Sequence, residues 1–164
     1  SWTFAPKYVR PLSVPQSLVW LMPRFGMDVT LAYPEGYHLM PEVMAAARQN
    51  AEEAGVTLTE THNMEEAFEN ADFLYPKSWG PIMVTEDEAE VEAMAAKNES
   101  WRVTQAKMDL AKKHAVYMHC MPVDRGHEVD DEVIDGPQSV IYKQAENRLH
   151  IQKALMALTM GGRA

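Results

Sequence analysis

Four short clusters hold the side chains able to do chemistry. His119-Cys120-Met121-Pro122 sets a histidine and the chain's single cysteine just ahead of a proline. The proline turns the chain outward and leaves the Cys120 and Met121 carbonyls free to accept from an ammonium or an amide. A thiol beside positive charge ionises more readily and becomes a nucleophile; the same residues also read as a small buried apolar side chain and a satisfied core histidine. Asp124-Arg125-Gly126-His127-Glu128 has a glycine that lets the backbone close on a ligand, with Arg125 and His127 as partners for an anion. Its other reading is a solvated turn. Glu146-Asn147-Arg148, with His150 beyond it, puts an arginine on the first turn of a helix expected over 147–158. A helix start and a guanidinium fork together suit a phosphate or carboxylate, and the alternative is a surface ion pair with Glu146. Lys77-Ser78-Trp79-Gly80 supplies a lysine and a serine for a carboxylate and a tryptophan to wall a pocket, or else a loop with one packed aromatic.

The elements that would position these clusters alternate along the chain. Short apolar runs at 2–4, 28–32, 56–60, 72–76, 115–120 and 139–142 read as strands. Helices are expected at 17–25, kinked at Pro23 and stopped by Gly26, and at 41–54, with Pro41 near its start and Gly55 just past its end. Others follow at 63–70, opened by Asn63 with Glu66, at 86–97, at 104–113 under a Thr104 cap, at 130–135 and at 147–158. Prolines 6, 11 and 15 make 6–15 a stiff loop. The alternation predicts an α/β fold: a three-layer αβα Rossmann-like domain with a mainly parallel sheet. Ligands in such sheets sit beyond the carboxyl ends of the strands, which points to the loops 6–15, 77–80 and 120–127.

A chain of 164 residues with 46% hydrophobic side chains suits one domain with a proper core. The formal charge of -9 speaks against nucleic acid, whose binders carry a basic patch, and requires a phosphorylated substrate to be held by local groups. The acid gathers at 86–92 and 128–135, both read as solvated helix surface. A single cysteine excludes an intrachain disulfide and fits a reducing, cytoplasmic setting. No stretch is long and apolar enough to span a bilayer, so no membrane partner is expected. Neither a G-x-G-x-x-G turn nor a P-loop is present, and the six histidines are scattered, so neither a cofactor nor a metal is expected. The chain opens on Ser-Trp-Thr-Phe, inside an expected strand, as a fragment would.

The clusters, in this order and spacing, resemble the second, amino-acid-binding domain of the aspartate/ornithine carbamoyltransferase family. His119-Cys120-Met121-Pro122 is similar to the family's His-Cys-Leu-Pro signature, with methionine for leucine. Asp124 to Val129 resembles the segment that follows it, and Gln144-Ala145-Glu146-Asn147-Arg148-Leu149-His150 the late Ala-Glu-Asn-Arg motif. The likeness runs from Trp2 to about Leu158. It implies transfer of a carbamoyl group from carbamoyl phosphate to an amine, without cofactor. Arg148 would contact carbamoyl phosphate, and Cys120 and the Met121 carbonyl, with Pro122 shaping the turn, would lie where the carbamoyl group meets the amine. His119 would shape the strand end, and Lys77, Ser78 and Trp79, with Arg125, would hold the amino-acid substrate.

The resemblance also narrows the branch. Ornithine-type members carry Ser-Met-Gly with an aspartate four residues before the serine; here Trp79 follows Ser78 and the aspartate's place is taken by Leu74, which cannot pair with an ammonium. Lys-Ser-Trp-Gly looks like the knotted branch, which includes enzymes for N-acetyl- and N-succinyl-ornithine and members of unassigned substrate. That implies a trefoil knot with 6–15 as the collar. The family's first domain, with its Ser-x-Arg-Thr-Arg phosphate loop and His-Pro-x-Gln motif, has no counterpart in these residues. This chain alone is therefore expected to be inactive, the full protein to be a homotrimer, and the last helix to expose Leu149, Met156 and Met160. Two other readings stand beside this one: a binding module that kept the pocket and lost the chemistry, and an interaction role for the acidic helix 86–97, which would otherwise be a solvated face or a lid.

Overall fold

Side-chain caps and glycines divide the chain largely where the sequence places them. In the computed structural model, which describes residues 1–6 and 11–161, the helices are α1 Ser13–Leu21, α2 Pro41–Ala54, α3 Met64–Phe68, α4 Glu88–Ala96, α5 Gln105–Met108, α6 Asp131–Ile134 and α7 Ile141–Met160. Proline opens α2 and Gly55 closes it in the left-handed conformation at φ 68°, a position where a Cβ would be strained. Asn63, Asp87 and Thr104 each accept a hydrogen bond from a first-turn amide of the helix they precede.

The strands are β1 Val29–Ala32, β2 Leu58–Thr61, β3 Phe73–Leu74 and β4 Val116–Tyr117. β1 pairs in parallel with β2 from Val29↔Leu58 to Ala32↔Thr61, and β3 pairs in parallel with β4. The amino-terminal residues close the gap between these pairs. Trp2 N donates to the Ala32 carbonyl at 2.7 Å, Lys77 N to the Ser1 carbonyl at 2.9 Å and Thr3 N to the Lys77 carbonyl at 3.2 Å. Ser139 adds a single parallel bridge to Tyr117 on the far side. The order is thus β2, β1, residues 1–3, β3, β4, Ser139, all parallel, with crossover helices between the strands. This is the mixed α/β arrangement that the alternating pattern predicts.

Apolar side chains form two clusters. One gathers Trp2, Val19, Leu31, Tyr37, Met44 and Trp79, and the other Phe68, Leu74, Met108, Tyr117, Val133 and Ile141; Trp101 packs against both. The indole N–H of Trp2 donates to the Trp79 carbonyl and that of Trp79 to the Tyr37 carbonyl, both at 2.8 Å, so each buried indole satisfies its polar atom.

Several boundaries differ from expectation. The stretch 6–15 is not loop throughout: α1 begins at Ser13 and carries Pro15 in its first turn, where a missing N–H costs nothing. The remainder of the expected collar, residues 7–10, lies outside the described residues. The helix expected to reach 113 ends at Met108. The strand expected at 139–142 is one bridge, because Ile141 already starts α7. No helix among the described residues is long and apolar enough to cross a membrane.

Candidate active site

The early start of α7 moves one functional residue. Arg148 sits seven residues beyond Ile141, on an exposed mid-helix turn, so the helix amino terminus lends it no help with an anion. The carboxyl ends of β3 and β4 instead bring Tyr75 and Cys120 toward it. Gln144, one turn earlier on α7, reaches back with both ends of its amide: Oε1 accepts from the His119 N–H at 2.9 Å and Nε2 donates to the Tyr75 hydroxyl at 2.9 Å. Tyr75 lies against Cys120 and within electrostatic reach of Arg148. Burial first, and then the Cys120 thiol, push its hydroxyl well above the usual tyrosine range. Cys120 and Tyr75 are half-buried, Met121 is partly exposed and Arg148 is exposed, so the strand ends reach the surface here.

Below that surface lies a buried polar hub. Glu128 is 1% exposed and His119 equally so. Glu128 Oε1 accepts from the Ser78 N–H at 3.0 Å and the Thr3 hydroxyl at 3.3 Å; Oε2 accepts from the Asp124 N–H at 2.8 Å. The Lys77 ammonium stands 3.8 Å from Oε1 and 3.4 Å from the Ser78 hydroxyl. Burial alone would raise the Glu128 pKa, but the facing His119 ring, the Asp124 amide and the Lys77 ammonium outweigh it and hold the carboxyl well below its ordinary range. Met121 N–H donates to His119 Nδ1 at 3.0 Å, which places the ring proton on Nε2, and Nε2 faces Glu128 Oε1 at 3.5 Å. That separation is too long for a good hydrogen bond, and Nε2 has no hydrogen-bond partner among the described residues, so the attraction is one of charge to dipole. The Met121–Pro122 peptide is cis, and Met121 itself adopts φ 59°.

Each expected residue now has a place. Lys77, Ser78, His119, Cys120, Met121 and Pro122 gather at the strand ends, with Arg148 close by. Trp79 is buried in the first core cluster, and with Ser78 and Tyr37 it lines a narrow crevice there. Arg125 does not reach the site. Its guanidinium forks onto Asp135 through both terminal nitrogens and also meets Asp131, every contact at 2.7 Å; these carboxylates already answer its charge. His127 stacks on Phe4, at 5.8 Å between ring centres, and lines an open cleft of about 590 Å³ with Phe4, Ser100, Arg102 and Thr104. Neither Cys120 nor Arg148 borders that cleft. The acid at 86–92 is solvated as expected, but Glu128 is buried, which corrects the reading of 128–135 as surface throughout. Sequence reasoning missed Thr3 and Tyr75, and met Gln144 only within a motif, without a role. The available signal was position: Tyr75 precedes the Lys-Ser-Trp loop, and Glu128 adjoins Val129, where the turn returns to bridge Val103.

Comparison with known proteins gives this geometry a family. A family model for the Asp/Orn binding domain of aspartate/ornithine carbamoyltransferase matches residues 12–159. YgeW of Escherichia coli (strain K12), a provisionally named carbamoyltransferase, is 38% identical over 179 residues, covering 95% of this chain and 45% of its own. Ornithine carbamoyltransferase of Halalkalibacterium halodurans is 41% identical over 150 residues, covering 92% and 46%. The crystal structure of acetylornithine transcarbamylase complexed with acetylcitrulline superposes with a TM-score of 0.90 at 35% identity, covering 96% of this chain and 47% of that one. The chain thus spans about half the length of the curated relatives it matches.

Proposed function

Because the chain belongs to the aspartate/ornithine carbamoyltransferase family, as its amino-acid-binding domain, we propose that it supplies that half of an enzyme moving a carbamoyl group from carbamoyl phosphate to the amine of an amino-acid-like substrate. In this reading the neutral amine attacks the carbonyl carbon and a C–N bond forms. The tetrahedral intermediate then expels phosphate with the C–O electron pair, and the nitrogen gives up a proton to complete the carbamoyl product. The residues contribute orientation and charge. Arg148 meets the growing charge on the phosphate side. The Met121 carbonyl accepts from the attacking nitrogen beside Cys120, and Lys77 with Ser78 holds a carboxylate. The observation that carries the reading is the tie of α7 to the ends of β3 and β4, where Gln144, one turn before Arg148, bonds to His119 and to Tyr75 beside Cys120, within the span that the family model matches.

That Arg148 stands exposed on α7 and Cys120 is only half-buried supports a site completed by another domain. In this proposal the other domain holds most of the phosphate and the full protein assembles as a homotrimer. The substrate class follows from Leu74. It is buried at the position where a partner for a free ammonium would stand, which favours an N-acylated ornithine over ornithine. The same reading makes the domain a three-layer, knotted αβα unit of a cytoplasmic enzyme. The test is to assay the full-length protein with carbamoyl phosphate and a panel of ornithine, N-acetylornithine, N-succinylornithine and putrescine. Turnover of an acylated ornithine is the expected result; folded protein that turns over none of them would overturn the proposal.

A further inference from the structure

The long helix α7 is held to the body of the domain at one end only. Ile141 is its single buried residue, and residues 145–160 are all exposed. Just ahead of the helix, the Val140 N–H donates to the Tyr117 carbonyl at 3.0 Å. Past that point, among the described residues, Gln144 alone on α7 has a side chain that hydrogen-bonds outside the helix. Its Oε1 accepts from the His119 N–H and its Nε2 donates to the Tyr75 hydroxyl, both at 2.9 Å. The side-chain contacts of Glu146, His150 and Thr159 stay within the helix.

This pair of bonds does more than attach. A carboxamide carries an acceptor and a donor in one rigid plane, so engaging both fixes its orientation as well as its place. The two partners stand past different strands, Tyr75 after β3 and His119 after β4. One side chain therefore fixes how far the helix is rolled about its own axis. Residues four apart share a helix face, so the roll that aims Gln144 at the strand ends also aims Arg148, one turn on. A roll of about 20° moves a side-chain tip roughly 6 Å from the axis by about 2 Å. At a reacting centre, a misplacement of about 1 Å costs up to about 100-fold in rate. Burial of Ile141 alone, a non-directional contact, does not set the roll to that precision.

We propose that Gln144 is a positioning residue: its two-ended amide locks the roll of α7, and with it the aim of Arg148, against the ends of β3 and β4. Gln144 itself touches no substrate. The kinetic consequence rests on the carbamoyl-transfer reading; the anchoring of the helix does not.

Amide hydrogen exchange and a double-mutant cycle, both on the full-length protein, test it. Gln144→Met keeps the length of the side chain and removes both bonds; Tyr75→Phe removes only the bond to the hydroxyl. Exchange of the amides at 145–150 is expected to quicken about tenfold in Gln144→Met and by less in Tyr75→Phe, with α2 unchanged. Wild-type exchange in both variants would overturn the proposal, whether or not the protein transfers carbamoyl groups. If Gln144→Met does not fold, Tyr75→Phe carries this arm alone. In the kinetic arm, Gln144→Met is expected to lower kcat/KM for carbamoyl phosphate about tenfold, the scale of one or two lost hydrogen bonds. In an Arg148→Met background the same change should cost less than about twofold, because no guanidinium is left to aim. Equal losses in the two backgrounds would show that Gln144 does not act through Arg148 and would overturn the proposal. A wild-type protein without turnover would defeat the functional reading and leave the exchange result to decide this one.

Discussion

Two regions of the molecule reverse the ordinary placement of side chains, in opposite directions. At the ends of β3 and β4, Glu128, His119, Ser78 and Thr3 are charged or polar and buried. Along the later turns of α7, Leu149, Ile151, Leu155, Leu158 and Met160 are apolar and exposed, Leu158 at 83% and Met160 at 79%. Internally, this chain supplies the compensation: three hydrogen-bond donors, the His119 ring and the Lys77 ammonium surround one carboxylate. Externally nothing in the described chain covers the apolar groups. The contrast teaches that one wall of the site is finished within this domain, while the helix carrying Arg148 is supported only at its base, where Ile141 is buried and Gln144 is tied to His119 and Tyr75.

The finished wall should be the fragile one. Glu128→Leu removes the acceptor for the Ser78 and Asp124 amides and leaves them buried with Lys77, so a loss of about 3–5 kcal/mol in unfolding free energy is expected by denaturant titration. The pH dependence has a definite sign. The folded pKa of Glu128 lies below the unfolded one, so its stabilisation is present in full above the ordinary glutamate range. It is lost as pH falls through and below that range. A wild-type protein whose stability stays flat down to pH 3 while Glu128→Leu is equally stable would collapse the contrast.

On the unfinished side, replacing Leu155 and Leu158 together by glutamate should leave stability within about 1 kcal/mol, since surface changes seldom exceed that. It should also remove most of the binding of an apolar dye to the 164-residue chain. Undiminished dye binding would place the apolar surface elsewhere. The smallest effect belongs to Tyr37, whose buried hydroxyl has no hydrogen-bond partner among the described residues and whose pKa burial pushes up to about 12. Tyr37→Phe should stabilise the fold by about 1 kcal/mol. It should also remove a contribution that is complete below the ordinary tyrosine pKa and lost as pH rises toward 12. A destabilised Tyr37→Phe would mean that the hydroxyl is satisfied after all.

Much of this architecture was legible because its signals are local. Pro41 and Gly55 bound α2, and Asn63 and Thr104 cap their helices through hydrogen bonds that span two or three residues. The parallel pairing follows from alternation of element type. Failures arose where a tertiary partner decides. Nothing in Ser139-Val140-Ile141 tells a strand from a helix start, and burial of Ile141 settles it. The acids beside Glu128 made it look solvated, because its donors come from positions 3, 78 and 124, far apart in sequence. Arg125 looked free for an anion because Asp131 and Asp135 reach it only once α6 has formed.

The central claim is that the exposed face of α7 and the strand ends of this domain carry carbamoyl transfer, and Arg148 tests it most directly. It is solvent-exposed, so Arg148→Met should leave the fold intact. The measurement is kcat/KM for carbamoyl phosphate in the full-length protein with whichever acceptor of the panel it turns over. The account predicts a fall of about 10²- to 10³-fold, the usual cost of removing one group that meets developing charge, with an unchanged melting temperature. An Arg148→Met enzyme as active as the wild type would contradict it.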